Sequence, residues 1–471
     1  MNKLFNRAVF LMCFFGVATL QSTTIRVPAD ESTIQAAIDA ASNGDTVVVY
    51  PGTYYENIIF RGKKIVVTSR FFETGDLSFV QSTIINGSQP IHPDTASCVL
   101  IINGEDSTTV LQGFTITGGG GTKWVDEHGA GTYREGGGIL IAKSAPVIRF
   151  NLITGNEAIN TSGATSAGGG GIRAGDGNSR ILNNVVMSNK GRYGAGIVLN
   201  YTGAVVRNNI LTNNSGGQDY GGGALWMNHD GSIGKLIENN TIAGNKVVGV
   251  YIYQGSSIIR NCILWGNASS EISVRSGGPT VSYSDVQGGR TGTGNINSDP
   301  MLADTNFYLQ SGSPCIDAGD TSGIYNDVED AMLPGSALDP SHGNLRNDMG
   351  AYGGLGADEL PGFGSTTGIV PRDNSKPTGF RLEQNYPNPF NPTTVISYRL
   401  SAVSHVTLRV YDTLGKEVQR LVNESQSPGN HSVTLDAGSL ASGVYFYRLS
   451  VRSLSGDLID YSETKKLTFL K

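Results

Sequence analysis

The residues best suited to chemistry are concentrated in one segment, 123–135, which reads KWVDEHGAGTYRE. Carboxylates and imidazoles act as general acids and bases, and aromatic faces stack on sugar rings. The segment offers both kinds of group: Asp126, Glu127 and His128 as candidate catalytic residues, and Trp124, Tyr133 and Arg134 as candidates for substrate binding. These side chains can act together only if a rigid framework presents them on one surface.

Later parts of the chain add to both sets. Arg173, with Asp176 nearby, is a further candidate catalytic residue, as a base on the outer face of a strand. More aromatic residues extend the binding set, and these are Tyr220, Trp226, Tyr251 and Tyr253. Aromatic rings flanked by polar groups could form a strip that binds carbohydrate. The alternative is that these rings only cover loops and strand edges.

A repeated phrase predicts the framework that positions these residues. It is mostly apolar, any, Asn, Asn, any, apolar, any, any, Asn, and a unit this short must stack on its neighbours to bury its apolar residues. The closing asparagines are unevenly spaced, so the longer intervals predict loops on one side. The copies are Ile148–Asn156, Ile181–Asn189, Val206–Asn214, Ile237–Asn245 and Ile259–Asn267.

Glycine-led strands lie between the phrases, as in Gly136–Ile139, Gly169–Ile172 and Gly194–Ile197. Asn and Gly suit sharp corners, stacked Asn amides can form a ladder, and parallel crossovers are overwhelmingly right-handed. The pattern predicts a right-handed parallel β-helix with Ile139 and its equivalents facing inward. A phosphate loop is the rival for Gly118–Gly121, but the required Gly-Lys-Ser/Thr spacing is absent.

The start of the mature chain carries a resemblance. Ile34–Ala41 predicts a short amphipathic helix that caps the coil, and the segment IQAAIDAASNGDTVVVYPGTYYENI, followed by Asn-Asn coils, resembles the pectin-lyase-like β-helix superfamily. The resemblance covers residues 24 to about 288 and implies a substrate groove along the Gly-led strands. In such enzymes lyases use an Arg or Lys base, often with calcium, and hydrolases use paired carboxylates. No adjacent coils carry an Asp-Asp pair on this face.

The segment after the coils has its own signature. Asp299-Pro300, Ser313–Gly319 and Arg346–Tyr352 resemble a tail found after many bacterial β-helices. Four carboxylates in or near it could gather around a calcium ion, since calcium prefers oxygen ligands, or could equally be turn residues. They are Asp317, Asp320, Asp339 and Asp348.

A second folded module is predicted at the C-terminus. Residues 353–377 are rich in Gly, Pro, Ser and Thr and predict a linker, and 378–471 alternates apolar and polar residues as in a small Ig-like antiparallel β-sandwich. Three segments resemble the C-terminal sorting domain of the type IX secretion system of Bacteroidetes-like bacteria: Asn385–Thr394, Val410–Lys416 and Leu440–Phe446, before the basic-apolar end Lys465–Lys471. The resemblance implies recognition by that machinery.

The N-terminus and the composition place the chain outside the cytoplasm. Lys3 and Arg7 precede an apolar run, Ala8–Leu20, too short to span a bilayer, which predicts a signal peptide over 1–22 and no transmembrane segment in the mature chain. The net charge is −6 without a basic stripe, which argues against nucleic-acid binding. Three cysteines remain after cleavage and are expected to be buried.

The predicted architecture is therefore all-β: a β-helix over 24–352, a linker over 353–377 and a sorting domain over 378–471. Two functions remain open for this exported, surface-attached or released protein. The first is a structural or glycan-binding β-helix whose partner is a polysaccharide or cell-surface glycan. The second is a polysaccharide lyase or glycoside hydrolase acting along the groove. No cofactor is required by the pattern, with calcium the one candidate.

Overall fold

The computed structural model describes residues 22–229, 235–303, 306–330, 333–361, 381–382, 385, 388–400, 404–412, 416–426, 429–438, 440–453 and 460–470. The chain divides into two compact units, Met1–Val328 with Pro340–Gly364, and Glu329–Asp339 with Ser365–Lys471. The predicted signal peptide lies outside the described residues except for its last residue. The predicted domain limits stay predictions.

The first unit is a parallel β-helix, as the repeats predict. Its three long sheets contain only parallel pairs in the part of the chain that the structure describes. The first sheet consists of Thr24–Val27, Thr46–Val49, Val66–Ser69, Val110–Gln112, Val147–Arg149, Arg180–Leu182, Val205–Arg207, Lys235–Glu238, Ser257–Arg260 and Thr280–Ser282. The second consists of Gly52–Tyr54, Thr83–Asn86, Thr115–Thr117, Leu152–Thr154, Val185–Met187, Ile210–Thr212, Thr241–Ala243, Ile263–Trp265 and Asp285–Val286. The third consists of Ile58–Ile59, Val99–Ile101, Ile139–Ala142, Ile172–Gly175, Ile197–Asn200, Leu225–Asn228, Val250–Ile252 and Ile272–Val274.

The interior of the coil is a column of aliphatic side chains. Ile139, Ile172 and Ile197 pair in register along the third sheet and have no exposed surface, which confirms their predicted inward direction. The same register turns Leu225 inward and Trp226 outward, a point that the sequence left unclear. Each fully buried aliphatic side chain contributes about 1.5–3 kcal/mol, so the column is the main stabilising feature of the unit.

The second asparagine of each Asn-Asn pair forms the predicted ladder inside the coil. Asn184 Nδ2 donates to Asn209 Oδ1 at 3.0 Å, and Asn209 Nδ2 donates to Asn240 Oδ1 at 3.0 Å. Each amide also donates to two main-chain carbonyls, for Asn209 those of Ile181 and Arg207. The closing asparagines form a parallel ladder at the next corner. Because every rung is buried, these bonds satisfy polar groups that the corner would otherwise leave unpaired.

The first asparagine of each pair points outward and binds another part of the chain, which the sequence did not predict. Asn183, Asn208, Asn239 and Asn261 all have positive φ values, between 49° and 54°, and their amides bind a segment that returns along the outside of the coils. Asn208 Nδ2 donates to the carbonyls of Ala351 and Gly353 at 2.9 and 2.8 Å. Asn239 and Asn183 bind the carbonyls of Asp348 and Gly356, and Asn261 Oδ1 accepts from Asp320 N.

The returning segment includes the start of the predicted linker. Tyr352 and Leu360 are buried in a small cluster with Val185 and Ile210 of the second sheet. Residues 353–361 therefore lie against the β-helix, because outward asparagines and apolar side chains of the coils hold them. The rest of the predicted linker, from 362, lies outside the described residues.

Short helices cover parts of the coil. They are the α-helices Ile34–Ala40, Phe71–Thr74 and Ser78–Ser82 and the 3-10 turns Asp219–Gly221 and Gly323–Tyr325. Thr33 caps the first helix by accepting from Ala36 N, and the helix buries Ile34, Ala37 and Ile38 in the main core, as expected of a cap. None of the helices in the described residues has the length and apolarity needed to cross a membrane.

The second unit is an antiparallel β domain made of two sheets. One sheet consists of Arg381–Leu382, Thr393–Leu400 and Gly429–Asp436, and the other of Ser404–Tyr411, Glu417–Gln426, Gly443–Ser453 and Asp460–Phe469. Alternate residues of both sheets share one core, which includes Ile396, Leu408 and Tyr447. The predicted small antiparallel module is therefore confirmed.

Candidate functional site

A hairpin over the third sheet carries most of the predicted site residues. Gly121–Val125 pairs antiparallel with Thr132–Glu135, and the strands Thr95–Ala96 and Ala167–Gly168 extend this small sheet on either side. Asp126 Oδ1 shapes the turn between them by accepting from His128 N at 2.9 Å and Ala130 N at 3.1 Å. The segment 123–135 that the sequence singled out is thus part of an ordered element.

The hairpin buries Arg173, which corrects the expectation of a solvent-facing base. Arg173 has no exposed surface, and its guanidinium donates to Glu127 at 2.7 and 3.1 Å. Arg173 Nε lies 3.0 Å from Glu135 Oε2. Alternation along the strand gave the outward direction of this side chain correctly, but the hairpin lies over it. An arginine clamped by two carboxylates ties the hairpin to the sheet and is unsuited to accept a proton.

The two glutamates respond differently to the same guanidinium. Burial acts to raise the pKa of Glu127, but the hydrogen bond and charge of Arg173 outweigh it, so the pKa lies below its ordinary value. At Glu135 burial dominates and raises the pKa, although the charge of Arg173 opposes it. Tyr193 donates to Glu135 Oε1 at 2.7 Å, and burial beside that carboxylate raises the pKa of the Tyr193 phenol. The same surroundings therefore move the two pKa values apart, that of Glu127 downward and that of Glu135 upward.

Aromatic rings form one cluster next to these carboxylates. Ring centroids are 5.2 Å apart for Tyr193 and Trp226, 5.4 Å for Tyr193 and Tyr220, and 5.4 Å for Trp226 and Tyr253. Tyr133 joins them from the hairpin, with its hydroxyl 3.3 Å from that of Tyr220. The edge-to-face arrangement of most of these pairs fixes the rings in place.

A pocket of about 190 Å³ opens between the hairpin and the third sheet. We call it the aromatic pocket. Predicted residues that line it are Asp126, His128, Tyr133, Tyr220, Trp226 and Tyr253, and further lining residues are Glu135, Tyr193, Asn200, Tyr201, Asn228 and Gln254. The structure thus brings together six residues that the sequence singled out as catalytic or binding candidates.

The other predicted site residues serve the framework around the pocket. Trp124 Nε1 donates to Glu127 at 2.8 Å, and Arg134 is buried, donating to the carbonyls of Pro93 and Gly121 and to Asp94. Tyr251 packs beside the ring cluster without lining the pocket. These contacts give Trp124, Arg134 and Tyr251 positions that stabilise the hairpin and rings.

A chain of amides, missed at the sequence level, runs along the pocket wall. Asn200 Nδ2 donates to Asp126 Oδ2 at 3.1 Å, and Asn228 Nδ2 donates to Asn200 Oδ1 at 3.0 Å. The two asparagines are register partners at the ends of neighbouring strands. Asn228 Oδ1 is buried and has no hydrogen-bond partner among the residues that the structure describes. The shared position in the motifs IVLN and LWMN was the signal that could have found them.

His128 lies at the rim of the pocket. Its Nε2 is 2.9 Å from Asp176 Oδ1, and its ring stacks on Tyr201 with centroids 3.7 Å apart. Asp176, which the sequence placed beside Arg173, therefore pairs with the histidine. The stack and the hydrogen bond to Asp176 hold the turn of the hairpin against the third sheet.

The candidate calcium ligands do not fit a metal. Asp348 accepts from Asp317 N and His342 N, Asp317 accepts from Asn344 N, and Asp320 accepts from Ser322 N. Asp339 belongs to the other compact unit. Nowhere in the described residues do three His, Cys, Asp or Glu side chains gather as a metal site would require. The carboxylates of Asp317, Asp320 and Asp348 satisfy main-chain amides of turns, which supports the turn alternative.

Comparison with known proteins identifies the C-terminal region. Residues 384–456 match the family model of the secretion system C-terminal sorting domain, which confirms the predicted resemblance. The protein is therefore secreted or displayed on the cell surface. Among solved structures, a pectin methylesterase from carrot is similar at 13% identity with a TM-score of 0.30, covering 59% of this chain and 87% of that chain. A search of the curated proteins gives no match.

Proposed function

We propose that this exported protein binds carbohydrate through the aromatic pocket of its β-helix. The observation that carries the proposal is the union, in one concave site, of a fixed cluster of aromatic rings with convergent polar side chains. Sugar-binding sites combine these two elements, because a ring face stacks on the apolar face of a sugar while polar groups orient its hydroxyls. The TM-score of the esterase comparison is too low to support this step.

The site is built before a ligand arrives. Its floor comes from strands of the β-helix, and its roof is a hairpin fixed by the ion pairs of Arg173 with Glu127 and Glu135. A site held by rigid elements loses little conformational entropy on binding. We infer that the same unit is carried outside by the type IX machinery, which would recognise the C-terminal domain.

Glycan binding can be tested with aromatic substitutions. Tyr220→Ala and Tyr253→Ala in the full chain are expected to weaken binding to the preferred glycan on an array by roughly tenfold, about 1.4 kcal/mol. Tyr55→Ala is the matched control, because this exposed tyrosine lies in the first coil, away from the pocket. Equal binding by the pocket variants, the control and the unmodified protein would refute the proposal.

A glycoside hydrolase is the second candidate, favoured by one observation. Asp126 and Glu135 line the same pocket, and a pair of carboxyl groups, one of which has a raised pKa, is the pattern of acid and base in glycoside hydrolysis. The glycans that bind on the array should be assayed for new reducing ends. Release that stops in Glu135→Gln while binding remains would replace the binding proposal with the catalytic one. A lyase is less well supported, because Arg173 is neutralised.

A further inference from the structure

We propose that the aromatic pocket selects sugars that carry a free, protonated amino group, so that its ligand is an amino-sugar polymer rather than an acidic polysaccharide. This inference rests on the proposed glycan binding and names the chemical class of the ligand. It follows from the charge of the pocket, from the direction of its amide chain and from its aromatic lining.

The charge around the pocket is negative. Asp126, Glu127 and Glu135 lie on the hairpin, and Arg173 of the third sheet pairs with the two glutamates. Arg173 pairs with Glu127 through two hydrogen bonds and reaches Glu135 with its Nε, so one cation offsets three carboxylates. Burial raises the pKa of Glu135, and the charges of Glu127 and Asp126 raise it further. An added positive charge would relieve this repulsion, and an added carboxylate would increase it.

Other charged groups near the pocket do not reverse this balance. Arg192 pairs with Asp219 at 2.6 Å, and His128 Nε2 lies 2.9 Å from Asp176 Oδ1, so both basic side chains have a carboxylate partner. Arg275 is exposed and does not line the pocket, but its guanidinium lies 4.1 Å from the centroid of Tyr253. Of the described residues that line the pocket, none is a lysine or an arginine. A uronic acid would find no free cation there.

The hydrogen-bond directions along the amide chain determine whether the pocket wall ends in a donor or an acceptor. Asp126, when ionised, only accepts hydrogen bonds, so Asn200 must turn its Nδ2 toward it. Asn200 Oδ1 then faces Asn228 Nδ2, and the chain ends at Asn228 Oδ1. This oxygen belongs to a side chain with 9% exposure and has no partner. A buried acceptor without a donor loses about 1–3 kcal/mol, so a ligand donor that reached this enclosed oxygen would be stabilised.

An ammonium group satisfies all three features at once. It supplies three donors and no acceptor, it carries the positive charge that the carboxylates favour, and it is attracted to aromatic faces. The contact of Arg275 with Tyr253 shows that a ring of this cluster already holds a cation. A neutral hydroxyl satisfies only the need for a donor, and a carboxylate satisfies none.

Calorimetric titration of the full-length protein tests the inference. Oligomers of β-1,4-linked glucosamine should bind at least about tenfold more tightly than the N-acetylated oligomers of equal length, which lack the charge. The preference should shrink at high salt, because screening weakens charge pairing. Cello-oligosaccharides and oligogalacturonates serve as neutral and acidic comparisons of similar size.

A paired set of variants locates the effect. Asn228→Asp adds a negative charge to the pocket wall and should raise the ratio of the affinity for the glucosamine oligomer to the affinity for the N-acetylated oligomer. Asn423→Asp, on a strand of the second unit, is the matched control for net charge. If neutral or acidic oligomers bind this pocket more tightly than the amino form, the inference is wrong while the proposed function stands. If no oligosaccharide binds, both fail.

Discussion

At the scale of single residues, Arg173 shows what strand alternation can predict and what it cannot. Strand alternation predicted correctly that its side chain leaves the coil interior, but the hairpin of residues 121–135 then covers it completely. Which segment folds over a strand depends on contacts between distant parts of the chain. Those contacts cannot be predicted from composition and spacing. The aromatic and acidic residues that the hairpin brings together could be identified from the sequence.

Loss of Arg173 is expected to be costly. Arg173→Met leaves Glu127 and Glu135 buried without their cation, and breaking a buried ion pair from one side destabilises a protein by about 3–5 kcal/mol. Thermal unfolding of the intact protein, followed by circular dichroism, should show a clearly lower first transition. Arg180→Met, at an exposed arginine on the neighbouring first sheet, should change little. Equal shifts for the two variants would contradict the structural role.

At the scale of elements, the sequence predicted that asparagines form the corners of the coil. It did not predict that the two asparagines of a pair bind different partners. The ladder followed from the repeat, because identical amides at one corner must stack. The outward hydrogen bonds of Asn183, Asn208 and Asn239 are made to a segment that lies more than a hundred residues later in the chain. The same holds for the hairpin: the sequence singled out the segment 123–135 by its residue types, but the pairing of Trp124 with Tyr133 was visible only in the structure.

The ladder has one weak rung, and repairing it should stabilise the coil. Cys262 occupies the position of the next asparagine, where its sulfur accepts from Asn240 N at 3.5 Å. In Cys262→Asn, the new Oδ1 would accept from Asn240, and the new Nδ2 would donate to the carbonyls of Ile237 and Arg260 that the thiol now faces. A net gain of about 1 kcal/mol is expected.

The matched variant for this test is Cys262→Ala, which removes the sulfur contacts and offers nothing in return. Thermal unfolding of both variants should place Cys262→Asn above the unmodified protein and Cys262→Ala below it. An asparagine variant that melts no higher than the alanine variant would show that the ladder cannot continue through this coil.

At the scale of the whole chain, two buried carboxyl groups of the tail make the stability of the β-helix fall as the pH rises from acidic values through neutrality. Burial raises the pKa of Asp327 to about 8, helped by the charge of Asp348, and burial raises the pKa of Asp348 to about 7. Unfolded, both carboxyls would release their protons near the ordinary value of 3.8. Between these values the folded protein holds more protons than the unfolded chain, so stability falls as the pH rises, by about 1.4 kcal/mol for each unit of pKa difference.

This pH dependence can be measured directly. The melting temperature of the intact protein should fall between pH 5 and about pH 9, and in Asp327→Asn the fall should be smaller. The comparison uses the slope against pH, so a constant cost of the substitution cancels. Parallel slopes for the two proteins would show that Asp327 does not hold its proton in the folded state.

The architecture of the whole chain could be predicted largely from the sequence, for identifiable reasons. Repeats that cannot fold alone predicted the β-helix, and alternation with turn signals predicted the antiparallel C-terminal domain. The tail was recognised by resemblance, but its path along the coils could not be predicted. The carboxylates of Asp317 and Asp348 were as consistent with calcium ligands as with turn residues. Their actual partners are main-chain amides, which all sequences share.

The outward asparagines give the returning segment a consequence for how this protein can evolve. Solenoids commonly lengthen by duplicating a coil, but here Asn261, Asn239, Asn208 and Asn183 meet the segment in reverse order, one coil at a time. If a coil were duplicated, the later asparagines would lose register with their partners in the returning segment, unless the segment lengthened by the same amount. The segment thus limits the number of coils, and we expect sequence change to be concentrated in the loops before the third sheet, which carry the proposed site.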